Sequence, residues 1–176
     1  EFIYDPLDRR IAKRRAVGVS PPSSGPTTHF VYDREDVLLE FVDPDGSGPQ
    51  PSTLSSQLLH GPAIDQVLAQ ENFQQSDPSL RVLWLLTDHL GSTRDLVTSA
   101  GAVVNHIIYD AFGNIVSQSN PAFSTRYLFT GREFDAETGL YYYRARYYDP
   151  RVGRFLSEDR IRFDAGDANL YRYVGN

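Results

Sequence analysis

Short runs of β-branched and aromatic residues, broken by Gly, Pro, Asn and Asp at spacings too close for helices of ordinary length, restrict this chain to β-hairpins. Residues 80–87 form one such run, and Asp88-His89-Leu90-Gly91-Ser92 punctuates it. Residues 96–98, the tripeptide Ser99-Ala100-Gly101 and residues 102–109 read as strand, tight turn, strand, with Gly101 free to take positive φ. Asp110-Ala111-Phe112-Gly113-Asn114 is the next turn, and residues 115–117 resume an extended strand. Residues 125–130 and 139–148 then flank a five-residue loop, Asp135 to Gly139, closing on glycine. As one strand, 139–148 puts Tyr142, Arg144, Arg146 and Tyr148 on one face and Tyr141, Tyr143, Ala145 and Tyr147 on the other. Aromatics on both faces mean that both are covered, or that one lines a cavity. The expected class is an all-β antiparallel meander with at most a short helix.

Two stretches cannot hold a ladder, residues 20–26 and 43–51, both rich in Pro, Gly and Ser, and these are expected to be loops. Residues 56–71 offer the one plausible helix, with Leu59, Ile64, Val67 and Leu68 roughly on one side. Gly61-Pro62 interrupts it, and strand pairing competes. Tyr-Asp recurs at Tyr4-Asp5, Tyr32-Asp33, Tyr109-Asp110 and Tyr148-Asp149. In such a pair the tyrosine is the last packed strand residue, and the aspartate accepts from the turn backbone two residues on. The irregular spacing makes this a degenerate repeat.

Composition narrows what the meander does. A chain of 176 residues with 40% apolar residues suits one globular domain. With 11 Tyr and 10 Phe against one Trp, it favours strands packed at one end with hydroxyls reaching water or a partner. No run of 18 apolar residues is present, so no membrane span is expected. A net charge of -6 argues against a nucleic-acid partner, which needs clustered positive charge. The one basic run, from Arg9 to Arg15, is expected to be a solvated strand face. Zero cysteines remove disulfides, thiolate nucleophiles and thiolate metal sites together. Zero methionines lead to the expectation that the chain comes from inside a longer polypeptide.

Several ordered motifs resemble the RHS/YD-repeat family, specifically its repeat-associated core region. They are Thr87-Asp88-His89-Leu90-Gly91-Ser92-Thr93-Arg94, Tyr109-Asp110-Ala111-Phe112-Gly113-Asn114, Phe129-Thr130-Gly131-Arg132-Glu133-Phe134-Asp135, the tyrosine-rich stretch from Leu140 to Phe155, and residues 169–176. The match is dense from about Trp84 onward, so the chain reads as one core segment, with degenerate repeats over 1–80 and the motif-bearing region over 81–176. The resemblance implies a β-strip that spirals into a hollow shell. In bacterial members the shell encloses a carboxyl-terminal toxin domain; in animal relatives it serves adhesion. The implied partners are that toxin domain and the rest of the shell, with cell-surface glycans or proteins as an alternative. The implied location is secreted or at the cell surface.

In toxin-bearing relatives the core's end is an aspartic autoprotease using two aspartates and a supporting arginine. Carried over, the first aspartate is Asp159 and the arginine is Arg146, while the second aspartate would fall beyond Asn176. The family's Pro and Gly after the first aspartate are replaced by Arg160 and Arg162. Carboxylate-driven peptide hydrolysis needs a pair, one ionised and one protonated. No catalysis is therefore expected of this chain; such an activity, if any, belongs to a longer parent. Other candidates are weaker. The acidic loop around Asp43 and Asp45 lacks the downstream glutamate of a calcium loop. His29, His60, His89 and His106 have no paired ligand spacing, although His89 sits beside Asp88 in a turn. No metal and no cofactor are expected.

Overall fold

The computed structural model describes residues 1–15, 25–46, 50–63, 65–161 and 168–174. Parts of both Pro/Gly/Ser-rich loops, Ile64, Arg162 and the last two residues lie outside this set. Fourteen strands are described: β1 (Phe2–Tyr4), β2 (Arg10–Arg14), β3 (Thr27–Asp33), β4 (Asp36–Asp43), β5 (Thr53–His60), β6 (Val67–Asn72), β7 (Val82–Thr87), β8 (Thr93–Thr98), β9 (Val103–Tyr109), β10 (Ile115–Gln118), β11 (Glu133–Asp135), β12 (Leu140–Tyr142), β13 (Tyr147–Asp149) and β14 (Arg154–Phe155). β1 to β10 follow chain order in a ten-stranded meander, and β11 to β14 form a four-stranded sheet, also in chain order. Sequentially adjacent strands pairing antiparallel is what a succession of hairpins produces.

The chain divides into two compact units, one of Glu1–Leu85 with Val97–Ala102, the other of Leu86–Leu96 with Val103–Asn176. In the first unit, antiparallel pairing places Val31 opposite Leu39, Leu39 opposite Gln57, and Ala69 opposite both Leu59 and Trp84. Alternation buries Val37, Leu58, Leu83 and Leu85 while leaving Val31, Leu59 and Trp84 exposed. Residues 56–60 and 67–71 are strand, helix-breaking Gly61-Pro62 falling between them, and the ladder to β4 and β7 supplies partners that an isolated helix would lack.

The basic run is only partly a solvated face. Arg10 is 1% exposed, its guanidinium 5.0 Å from the Phe2 ring centroid and 5.6 Å from that of Phe30. A planar, weakly hydrated guanidinium can enter such a ring sandwich where an ammonium would keep its water.

In the second unit, Ile107, Leu128, Phe129, Tyr141, Tyr148 and Phe155 form the core, with Tyr109, Ile115, Phe134, Tyr143 and Tyr173 packed on it. Two expected strands are different here. Residues 125–130 make only an isolated bridge, Tyr127 to Glu133, because Phe129–Gly131 turns as a 3-10 segment with Thr130 at φ 52°. Residues 139–148 are two strands. Arg144 takes φ 60°, the Ala145 N–H donates to the Tyr143 carbonyl, and the chain folds back so that Tyr141 faces Tyr148 and Tyr142 faces Tyr147. The turn reverses the expected partition of faces, since Tyr141 and Tyr148 now share a side, and both are fully buried. The expected loop before it forms: the N–H groups of Thr138 and Gly139 both donate to the Asp135 carbonyl, and Gly139 has φ 72°.

Candidate functional site

The recurring aspartate builds one turn several times. At Asp5, Asp88 and Asp110 the aspartate Oδ1 accepts from the amides two and four residues on, at 2.8–3.0 Å. In each, the aspartate N–H also donates to the carbonyl four residues on, and its own carbonyl accepts from the amide three on. That third residue is left-handed each time: Asp8 at φ 62°, Gly91 at 82° and Gly113 at 90°. This is the three-residue hairpin loop, a type I turn followed by a left-handed residue. Thr98 builds the same loop, its Oγ1 accepting from Ala102 N–H at 3.3 Å and Gly101 standing at φ 84°. Tyr32-Asp33 does not, since Asp33 pairs with Asp36 across a two-residue connection. The loop is therefore marked by Asp or Thr with a left-handed residue three positions later, Gly in three of the four cases and Asp8 in the fourth, and it includes Asp88 and Thr98, which no tyrosine precedes.

Tyrosine hydroxyls fasten the Asp110 turn to the second unit's core. Tyr148 donates to the Phe112 carbonyl at 2.8 Å and Tyr141 to the Gly113 carbonyl at 2.9 Å. The Asn114 amide reaches the Pro150 carbonyl at 2.9 Å, tying the Asp110 turn to the Asp149 turn. Gly113 is required twice over, because a Cβ there would stand 2.5 Å from Phe129 Cδ1. Tyr143 Oη lies 2.7 Å from Tyr173 Oη and 2.6 Å from Thr130 Oγ1. Burial pushes the Tyr148 phenol up to about 12, with the phenol of Tyr173 and the carboxylates of Asp110 and Asp149 adding to it. It also raises Tyr109, Tyr141 and Tyr143. The Arg151 side chain, donating to both oxygens of Asp149, holds that carboxyl below its ordinary range.

Arg146 and Asp159 lie thirteen positions apart in sequence and meet in space. Arg146 Nη2 is 3.0 Å from Asp159 Oδ2, with both side chains partly buried. Arg146 is further held by stacking, its guanidinium carbon 3.7 Å from the Phe155 ring centroid, and by a 3.4 Å bond to the Leu170 carbonyl. Asp159 donates its own N–H to that carbonyl at 2.9 Å, and its Oδ1 accepts from Ile161 N–H at 3.0 Å. Leu170 had no signal in the sequence, because its part is played by a backbone oxygen. The arrangement fixes one carboxylate in orientation beside a cation; the second carboxylate that hydrolysis requires is not part of it.

The remaining candidates are occupied locally. Asp43 Oδ1 accepts from the amides of Asp45 and Gly46 at 3.2 and 2.9 Å, which is turn chemistry, and Ser47 to Pro49 lie outside the described residues. Among the described residues no group of three or more His, Asp or Glu is placed to hold a metal ion. His60 Nε2 is 2.7 Å from the Val37 carbonyl, His106 Nδ1 is 2.7 Å from Asp95 Oδ1, His29 sits in the ladder opposite Ala12 and Phe41, and His89 is exposed in its turn. Among the described residues no helix is long and apolar enough to cross a membrane.

A family model described as Teneurin YD-shell matches residues 72–176. The chain belongs to the RHS/YD-repeat family. Over its whole length it is 37% identical to Salivary gland surface protein 1 of Aedes aegypti, and over 99% of it 29% identical to Double-stranded DNA deaminase toxin A of Burkholderia cenocepacia. Half of it is 40% identical to tRNA nuclease WapA of Bacillus subtilis. The chain spans 5%, 13% and 4% of those relatives' lengths. The solved TcdB2-TccC3 structure superposes on 98% of this chain at a TM-score of 0.73 and 22% identity, the match taking up 8% of that longer chain.

Proposed function

We propose that this YD-shell segment is a wall element of a larger, exported protein, and that the wall encloses a toxin or effector domain carried in the same polypeptide. The observation that carries the reading is the alignment of nearly the entire chain with a small part of much longer proteins, one of them named a deaminase toxin. A segment whose polar turns are satisfied by its own side chains and whose tyrosines are anchored to backbone carbonyls is suited to holding shape. The test is protease protection in the parent protein. The enclosed domain should resist trypsin in the native parent and be digested once Gly113→Val disrupts the wall. Equal digestion of both would sink the reading.

A second reading, favoured by the Arg146 to Asp159 ion pair, is that the intact parent cleaves itself with Asp159 as one of two carboxylates and Arg146 as its positioning residue. Extending the chain past Asn176 should yield a self-cleaved product by mass, absent in Asp159→Asn. An extension that stays whole, or an Asp159→Asn variant that still cleaves, overturns it. Adhesion through glycan stacking has less support, since Tyr127, Tyr141, Tyr142 and Tyr148 are all buried.

A further inference from the structure

Residues 168–174 lie along the side of β14 that β13 leaves open. Arg154 and Arg172 pair there in an isolated antiparallel bridge, and the Phe155 N–H donates to the Tyr171 carbonyl at 3.0 Å. The same segment reaches past the strand. The Tyr171 hydroxyl is 3.3 Å from Glu158 Oε1, and the Leu170 carbonyl accepts from the Asp159 N–H at 2.9 Å and from Arg146 Nη1 at 3.4 Å. A carbonyl oxygen has two lone pairs, so these two bonds use its full capacity. The orientation of Asp159 and Arg146 therefore depends on where one backbone oxygen stands.

That oxygen is fixed by a side chain three residues on. Ala168, Asn169, Arg172 and Val174 are exposed and contribute little burial. Tyr173 instead packs on the second unit's core. Its ring centroid lies 4.3 Å from that of Tyr148, 5.5 Å from that of Tyr143 and 5.7 Å from that of Phe155. Its Oη is 2.7 Å from Tyr143 Oη and 3.3 Å from Thr130 Oγ1. Thr130 takes φ 52°, a left-handed conformation that a β-branched residue rarely adopts, and there its hydroxyl meets both phenols. A segment with few backbone bonds and mostly exposed side chains opens locally at low cost unless something anchors it. The ring of Tyr173 is that anchor, since aromatic pairs at these separations add to the burial of the ring itself.

We propose that Tyr173 is a positioning residue for Arg146 and Asp159. Seated among the rings, it holds residues 168–174 on β14, and through the Leu170 carbonyl it keeps the guanidinium and the carboxylate in place, 3.0 Å apart. It acts through the backbone between Leu170 and Tyr173. Its bearing on peptide cleavage rests on the self-cleavage reading above, whereas the seating is a property of this chain alone. A displacement of about 1 Å in a reacting group can cost about a hundredfold in rate, so an anchor outside the reacting pair carries weight in a parent that cleaves.

Amide hydrogen exchange on the full chain tests the seating. Tyr173→Ala should speed exchange of the Asp159 and Phe155 amides at least about tenfold, while Thr93, whose N–H donates to the Leu128 carbonyl, stays within about threefold. Tyr173→Phe keeps the ring and should restore most of the protection at both. Unchanged Asp159 exchange in Tyr173→Ala overturns the proposal. Should that variant loosen Thr93 as well, the unaltered chain decides: the Asp159 and Phe155 amides must open together with the same denaturant dependence, and separate openings overturn the proposal. Self-cleavage is read separately, in the parent extended past Asn176. Where that parent cleaves, Tyr173→Ala should slow it about a hundredfold and Tyr173→Phe by no more than about threefold. Equal rates in Tyr173→Ala and the unaltered parent overturn the positioning role. A parent that never cleaves removes the self-cleavage reading alone, with the exchange result still deciding whether Tyr173 holds Asp159.

Discussion

The two units solve the same problem, stabilising a meander of hairpins, with different interactions. The first relies on strands of up to eight residues whose ladders run across several neighbours, with aliphatic side chains buried on one face and Val31, Leu59 and Trp84 left exposed on the other. The second has strands as short as two or three residues, too short to hold by ladder alone. It compensates with rings: Tyr148 lies 4.3 Å from Tyr173, and Tyr143 makes edge contacts with Phe155 and Tyr173 at 5.5 Å. Tilted and edge-on pairs at these distances each add about 1 kcal/mol to what burial alone supplies. The difference teaches that short, irregular strands need anchors at their turns, and that a tyrosine hydroxyl on a loop carbonyl is such an anchor.

The largest expected break in this comparison is at glycines of the same loop type. Gly113→Ala places a Cβ 2.5 Å from the Phe129 ring at φ 90°, so clash and backbone strain act together. It should cost about 3 kcal/mol in chemical denaturation. Next comes alkaline pH. The raised phenols of Tyr109, Tyr141, Tyr143 and Tyr148 bind protons more tightly folded than unfolded. Their contribution is fully present below the unfolded tyrosine value of about 10 and is lost as pH rises through the folded values, near 12 for Tyr148. Hydrogen exchange between these limits should show protection falling in the second unit before the first; simultaneous loss would remove the distinction between ring-held and ladder-held units.

Smaller effects sharpen it. Tyr148→Phe removes the donor to the Phe112 carbonyl and should cost about 1.5 kcal/mol by thermal melting. Finding no change would show that the ring contacts hold the turn without the hydroxyl. Gly101→Ala in the first unit meets nothing within 4 Å and carries only the strain of φ 84°. It should cost about 1 kcal/mol, and its difference from Gly113→Ala isolates the clash with Phe129.

Much of this was visible in the residues, and the exceptions share a cause. The loop at Asp110 to Asn114 and the hairpin closing on Gly139 were legible because each has its own turn chemistry written in four or five consecutive residues. The break at Arg144 was not, because left-handed φ at an arginine carries no local mark; the tyrosine pairs on either side, buried only once the chain folds back, are what stabilise it. The burial of Arg10 has no local mark for the same reason, since its partners Phe2 and Phe30 come from two other strands. Arg146 and Asp159 were named from their motifs, but nothing local indicated that the Leu170 carbonyl would hold both.

By itself, then, the sequence determined the meander, most of its turns and the residues worth watching, because hairpin loops and strand alternation are written within a few consecutive positions. Only the tertiary structure decided which tyrosines face one another, that Asp88 and Thr98 build the same loop as the Tyr-Asp pairs at Asp5 and Asp110, and that the Leu170 carbonyl holds both Arg146 and Asp159. Those outcomes depend on register and on contacts between distant segments, where the free energy of packing is shared among residues that carry no sign of one another in the chain.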